Sequence, residues 1–137
     1  MLFFAALMTI ISVSCKSRLS NMVEINTHID FTIYTNSIEY QELNATGGRM
    51  YLTGSGDSYG IIVYRSQPDE FMAYDRKPVI LNDACPNNRL KEEGFYIIDE
   101  CNDFKYLIIN GYNMNGDGTH PYWYITSYDG TTLRVHN

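Results

Sequence analysis

Ile29-Asp30-Phe31-Thr32-Ile33-Tyr34 alternates apolar and polar side chains with a period of two, the pattern of a strand with one face in a core. Outward from this stretch the same reading predicts strands over residues 49–53, 59–65, 70–74, 94–99, 106–110, 121–128 and 131–136. Turn-forming runs separate them: Thr46-Gly47-Gly48, Gly54-Ser55-Gly56-Asp57, Gln67-Pro68-Asp69, Asn110-Gly111 and Asp129-Gly130. The clearest hairpin signal is Asp129-Gly130, flanked by Tyr128 and Thr131. After the first fifteen residues no segment sustains a helical stripe, and only residues 87–93 have the composition of a short helical turn. Strands recurring at roughly ten-residue spacing predict an all-β sandwich or small barrel.

The chain has 137 residues, 14% of them aromatic and twelve of them tyrosine, enough large apolar surface for one packed β domain over residues 22–137. Ten basic against sixteen acidic residues leave a formal net charge of −6. None of these charges falls in residues 1–15, so the rest of the chain carries the whole imbalance. Such a surface repels phosphate backbones, and nucleic acid is excluded as a partner on that ground.

Residues 1–15 are apolar and close on Ser12-Val13-Ser14-Cys15. The run has the length of a signal segment rather than of a membrane span. A small residue before a cysteine at its end resembles a lipobox, although no Lys or Arg precedes the apolar run. The resemblance implies a signal peptide over residues 1–14, removal of it before Cys15, and a diacylglyceryl group on the Cys15 thiol. Residues 15–21 then read as lipidated cysteine and tether. The expected location is the bacterial cell envelope, lipid-anchored to the inner or outer membrane, with the membrane as a partner through the anchor.

Two cysteines remain, Cys85 beside Pro86 and Cys101 just after a strand. In an oxidising compartment an even remainder suggests pairing. A structural bridge and a redox-active pair are the two readings. Neither a Cys-x-x-Cys spacing nor a neighbouring histidine is present to lower a thiol pKa, which favours the bridge.

The C-terminal half carries a further pattern. Glu70-Phe71-Met72-Ala73-Tyr74-Asp75-Arg76, then Cys101 and Tyr106, then Asn110-Gly111-(x4)-Gly116-(x4)-Pro121 and Asp129-Gly130-(x2)-Leu133, resembles Rieske-type iron–sulfur domains. It is most similar to cluster-less Rieske-like lipoproteins of Bacteroidetes-type bacteria, over residues 43–137. The resemblance implies small antiparallel sheets in a sandwich or partly open barrel, with two hairpin loops that grip a [2Fe–2S] cluster through two thiolates and two imidazoles. Matched by position, the first ligand pair falls on Pro78 and Ile80, and the second on Asp99 and Asn102. All four ligand positions are thus degenerate, and no cofactor is expected. The family's accessory disulfide falls near Cys85 and on Cys101, the first loop being slightly longer than the family pattern.

Other chemistry has less support. His28, His120 and His136 lack ligand-pair spacing, so no metal site is expected. Asn113-Met114-Asn115-Gly116-Asp117-Gly118 resembles the start of a calcium loop, but Tyr124 stands where the bidentate Glu belongs. No serine lies in a nucleophile elbow. Asp99, Glu100 and Asp103 read as a solvated acidic loop. Tyr122 and Tyr124 share one side of a strand, with Trp123 on the other, and form a candidate aromatic binding surface near Tyr112 and Tyr128. The expected function is a non-catalytic binding or scaffold module with an envelope protein as partner. The alternative is a redox protein using Cys85 and Cys101 or an unrecognised metal centre.

Overall fold

A computed structural model describes residues 23–137. The strands are β1 (Asp30–Tyr34), β2 (Arg49–Leu52), β3 (Ile61–Gln67), β4 (Glu70–Asp75), β5 (Lys91–Glu93), β6 (Tyr96–Asp99), β7 (Phe104–Leu107), β8 (Ile125–Tyr128) and β9 (Thr132–His136). They form three antiparallel sheets of three strands each, ordered β1-β9-β8, β2-β3-β4 and β5-β6-β7. The expected all-β chain of small antiparallel sheets is therefore what the structure contains.

The layering follows from side-chain parity in β3 and β4. Ile61, Ile62, Val63 and Tyr64 are all buried, a continuous apolar run that arises when both faces of a strand are covered. Ile61, Val63, Phe71 and Ala73 point to a core shared with Ile33, Leu133 and Val135 of the β1-β9-β8 sheet. Ile62, Tyr64 and Tyr74 point the other way, to a second core with Ile97, Tyr106 and Ile108. The β2-β3-β4 sheet is thus the middle layer.

Several strand ends lie one to four residues from their expected positions, the strand expected over 121–128 beginning only at Ile125, and three elements differ more instructively. Residues 87–93 were expected to hold a helical turn, but residues 91–93 form β5, paired with β6 through Lys91 to Ile98 and Glu93 to Tyr96. Its Lys-Glu-Glu sequence carries no apolar alternation, and its partner strand supplies the order that its own composition lacks. A 3-10 segment, Ile38–Leu43, was not anticipated, and it buries only Leu43. The expected strand over 106–110 is instead β7, ending at Leu107.

The Asp129-Gly130 hairpin is present. The Asp129 carboxylate accepts the Thr131 and Thr132 N–H groups at 2.9 and 2.7 Å, and Gly130 takes a φ of 101°, a region glycine enters without steric cost. Before β8, residues 122–124 run along β4: Asp75 N–H donates to the Tyr122 carbonyl, and Tyr124 N–H to the Ala73 carbonyl, both at 2.9 Å. The last strands of the chain therefore stitch the outer sheet to the middle one.

At the end of β4 the Asp75 carboxylate is fully buried. It accepts from Ser58 Oγ, from the Tyr59 N–H (3.1 Å), from the Lys77 N–H (2.7 Å) and from the Tyr124 hydroxyl (2.6 Å). Tyr124→Phe keeps the ring and removes only that donor. Equilibrium denaturation is expected to show a loss of about 1.5–3 kcal/mol at unchanged denaturant slope, and an unmoved midpoint would count against this role for the hydroxyl.

Burial raises the Tyr74 and Tyr106 phenols well above the usual tyrosine range, and burial together with the Asp75 contact does the same for Tyr124. A raised folded-state pKa contributes stability that is complete below the unfolded value and lost as pH rises beyond it. Unfolding free energy is thus expected to fall from about pH 10 upward. Denaturation curves at stepped alkaline pH check this, a flat profile through that window being the contrary result.

Candidate functional site

The two loops named by the resemblance meet at one end of the molecule. The first follows β4, and the second is the turn after β6. Asp99, the last residue of β6, is fully buried. Its Oδ1 accepts the Asn88 amide at 2.6 Å and the Asn102 N–H at 3.1 Å, and its Oδ2 accepts the Asn102 amide at 2.8 Å. The Asn102 amide also donates to the Ile80 carbonyl at 2.9 Å. A Cys85–Cys101 disulfide joins the same loops, with Cα atoms 6.2 Å apart. Of the four degenerate positions, the structure brings together the Ile80 backbone, Asp99 and Asn102. Pro78 is buried and takes no part in this polar contact.

These residues do not fit a [2Fe–2S] cluster, which needs two thiolates on one iron and two imidazoles on the other. Proline and isoleucine side chains carry no donor atom, the Asp99 oxygens are already engaged by amides, and the nearby sulfur atoms are bonded to each other. What the arrangement does is hold two loops in fixed relation. Buried carboxylates normally require such a set of partners, and here neutral amides supply them from both loops.

The expected aromatic surface is corrected. Tyr124 is buried against the core, with its hydroxyl on Asp75, and Tyr122 packs partly buried beside it. The exposed member is Trp123, 48% accessible, because residues 122–124 pair with β4 and turn the two tyrosines inward. Trp123 stacks on His120 at 4.3 Å between ring centroids. Both line an open cavity of about 350 Å³ with Asn110, Tyr112 and Asn113. His120 Nδ1 lies 3.0 Å from the Pro121 carbonyl, which can only accept, so that ring nitrogen is the donor in this contact.

The 113–118 segment satisfies itself as a turn. The Asn113 amide donates to Asp117 Oδ1 and Thr119 Oγ1, both at 2.7 Å, and the Thr119 N–H reaches Asp117 Oδ1 at 2.9 Å. His28 and His136 both act on Asp30, whose carboxyl is held below its usual range first by the Arg134 hydrogen bond. His120 lies elsewhere, in the Trp123 cavity. Among the described residues no group of three or more His, Cys, Asp or Glu side chains is placed to hold a metal ion. Cys15 and the rest of residues 1–22 lie outside the described residues.

Two features escaped the sequence reading: the Asp75 carboxylate as a buried hub, and a groove that brings Tyr51, Tyr59, Arg76 and Arg89 together. The Tyr74-Asp75-Arg76 string marked the place of the first, but nothing in the spacing of the second reveals it.

Sheet order and stapled loops define an all-β protein of three stacked small sheets. No protein-family model matches the chain, and no curated protein matches it in sequence. Among solved structures, it is similar to the NMR structure of the E. coli protein NirD, at 11% identity over 68% of this chain and 86% of that one, with a TM-score of 0.41.

Replacing Cys85 and Cys101 with Ser reopens a loop whose ends are 16 residues apart in sequence. A loss of about 3 kcal/mol is expected, read by denaturant unfolding with and without reductant. Equal stability of oxidised and reduced wild type would contradict a structural bridge.

Proposed function

We propose that this chain is a lipid-anchored protein of the bacterial envelope whose Rieske-like β domain acts as a non-catalytic binding or scaffold module. One observation carries the reading. Where the resemblance puts cluster-holding loops, those loops are sewn to each other by the Cys85–Cys101 bridge and the Asp99, Asn88, Asn102 and Ile80 contacts. A loop end satisfied internally offers shape and a fixed surface, which suits recognition better than electron transfer. The exposed Ile80 and Leu81 side chains beside the bridge give that end apolar area for a protein partner. The anchor part of the proposal rests on the lipobox-like Ser12-Val13-Ser14-Cys15 and on the apolar run before it.

Full-length protein expressed in a Gram-negative host under iron-replete, anaerobic conditions tests both parts. The expected product is colourless and iron-free, fractionates with membranes, and carries a diacylglyceryl mass on an N-terminal Cys15. Cys15→Ser is expected to abolish the lipid mass. Stoichiometric iron with visible absorption would overturn the scaffold reading, and an unprocessed Met1 terminus would overturn the anchor.

A further inference from the structure

Acids outnumber bases by sixteen to ten in this chain, so an arginine can ordinarily find a carboxylate. Among the described residues the ion pairs are Arg49 with Glu92, Lys77 with Asp57, Lys91 with Glu100, and Arg134 with Asp30. Arg65 has no acid but spends its guanidinium on the Leu43, Asn44 and Pro68 carbonyls. Arg76 and Arg89 are different. Neither has a carboxylate within pairing distance among the described residues, and they line the same open groove of about 280 Å³ with Tyr51, Thr53, Ser58 and Tyr59.

Both guanidiniums are placed by aromatic faces. Arg76 Cζ lies 4.3 Å from the Tyr51 ring centroid, and Arg89 Cζ lies 5.9 Å from that of Tyr59. Arg76 is further fixed by its Nε, which donates to the Leu90 carbonyl at 2.9 Å and leaves both Nη groups for other partners. Its stem runs beside Gly60, where a Cβ would stand 3.3 Å from Arg76 Cδ, and the φ of 110° there also excludes an ordinary side chain. Arg89 is exposed and makes no hydrogen bond to the described residues.

The carboxylates around the groove are already committed. Asp75 is held by Ser58, Tyr59, Lys77 and Tyr124, the Asp57 carboxylate by the Thr27 and Asn26 N–H groups and by Lys77, and Glu92 by Arg49. The Tyr51 hydroxyl accepts the Glu92 N–H at 2.9 Å and keeps its own proton to donate. The groove therefore presents two planar forks and a hydroxyl donor, no carboxylate lines it, and aromatic walls limit how far the forks can swing.

We propose that this groove binds a phosphate-class oxyanion between Arg76 and Arg89. A planar fork pairs two of its N–H groups with two oxygens of such an anion, and two forks plus a hydroxyl ask for more acceptor oxygens than one carboxylate carries. Free phosphate, a phosphate monoester and a phospholipid headgroup share this chemistry. The site does not depend on the lipid anchor at Cys15.

Full-length protein in a non-ionic detergent at low ionic strength is titrated with inorganic phosphate, and separately with a short-chain phosphatidylglycerol. Binding is read from the arginine Nε–Hε and tyrosine ring NMR signals. R89Q is the decisive variant, because the Arg89 head holds nothing in the fold and its unfolding midpoint is expected to stay unchanged. K105Q, which removes another cation seated over a tyrosine ring outside the groove, is the control. Saturable shifts at Arg76 and Tyr51, weakened about tenfold by R89Q and unaffected by K105Q, are expected. Saturation with inorganic phosphate assigns the site to a soluble oxyanion, and saturation with the lipid alone assigns it to a headgroup. No saturation with either probe, or equal binding by wild type and R89Q, overturns the proposal.

Discussion

A charge buried at the end of a strand constrains everything around it. Asp75 closes β4 with no solvent access, and an unpaired carboxylate there would cost several kcal/mol. Its partners come from three parts of the chain: Ser58 and Tyr59 from the β2–β3 connection, Lys77 from the loop after β4, and Tyr124 from the approach to β8. Satisfying one carboxylate thus fixes where the middle sheet meets the last strands and where the long loop departs. Neighbouring contacts follow, with Arg76 N–H on the Gly60 carbonyl and Leu90 N–H on the Arg76 carbonyl, both at 2.7 Å.

The same device recurs at the end of β6. Asp99 closes β6 as Asp75 closes β4, and it too is fully buried. Its donors are carboxamides and a backbone amide rather than hydroxyls, and two of them belong to Asn102 in its own turn. Asn88 reaches across from the other loop, and the disulfide adds a covalent link in parallel. The two buried carboxylates therefore order the β2–β3 connection, the long loop between β4 and β5, and the turn after β6. A small protein with two modest cores gains rigidity from such contacts where apolar area is limited.

Tyrosine serves two purposes here. Tyr64, Tyr74, Tyr106 and Tyr124 fill the cores, and the Tyr74 hydroxyl reaches the Ile108 carbonyl at 2.9 Å. Partly exposed rings instead carry cations: Arg76 over Tyr51, Lys105 over Tyr96, and Arg65 near Tyr128. The abundance of tyrosine that marks the composition is therefore divided between packing and the seating of a scarce set of basic side chains.

Local pattern alone was enough for the all-β class, the Asp129-Gly130 hairpin and the strand at Ile29 to Tyr34, because a period of two and a left-handed glycine are properties of a few consecutive residues. The even cysteine remainder also pointed to the Cys85–Cys101 bridge. Other features needed partners distant in sequence. Lys91–Glu93 becomes a strand only because β6 lies beside it, and Tyr122 and Tyr124 turn inward only because β4 pairs with them. Side-chain parity separates Trp123 from its neighbours, but which side faces solvent depends on the sheet that the strand joins. Arg76 and Arg89, thirteen positions apart, share a groove with Tyr51 and Tyr59 through the packing of the β2–β3 connection against the loop after β4. Periodicity is local, so the sequence determined most of the strands and their turns; pairing, burial of the two carboxylates and convergence of charges are long-range, so only the tertiary structure decided them.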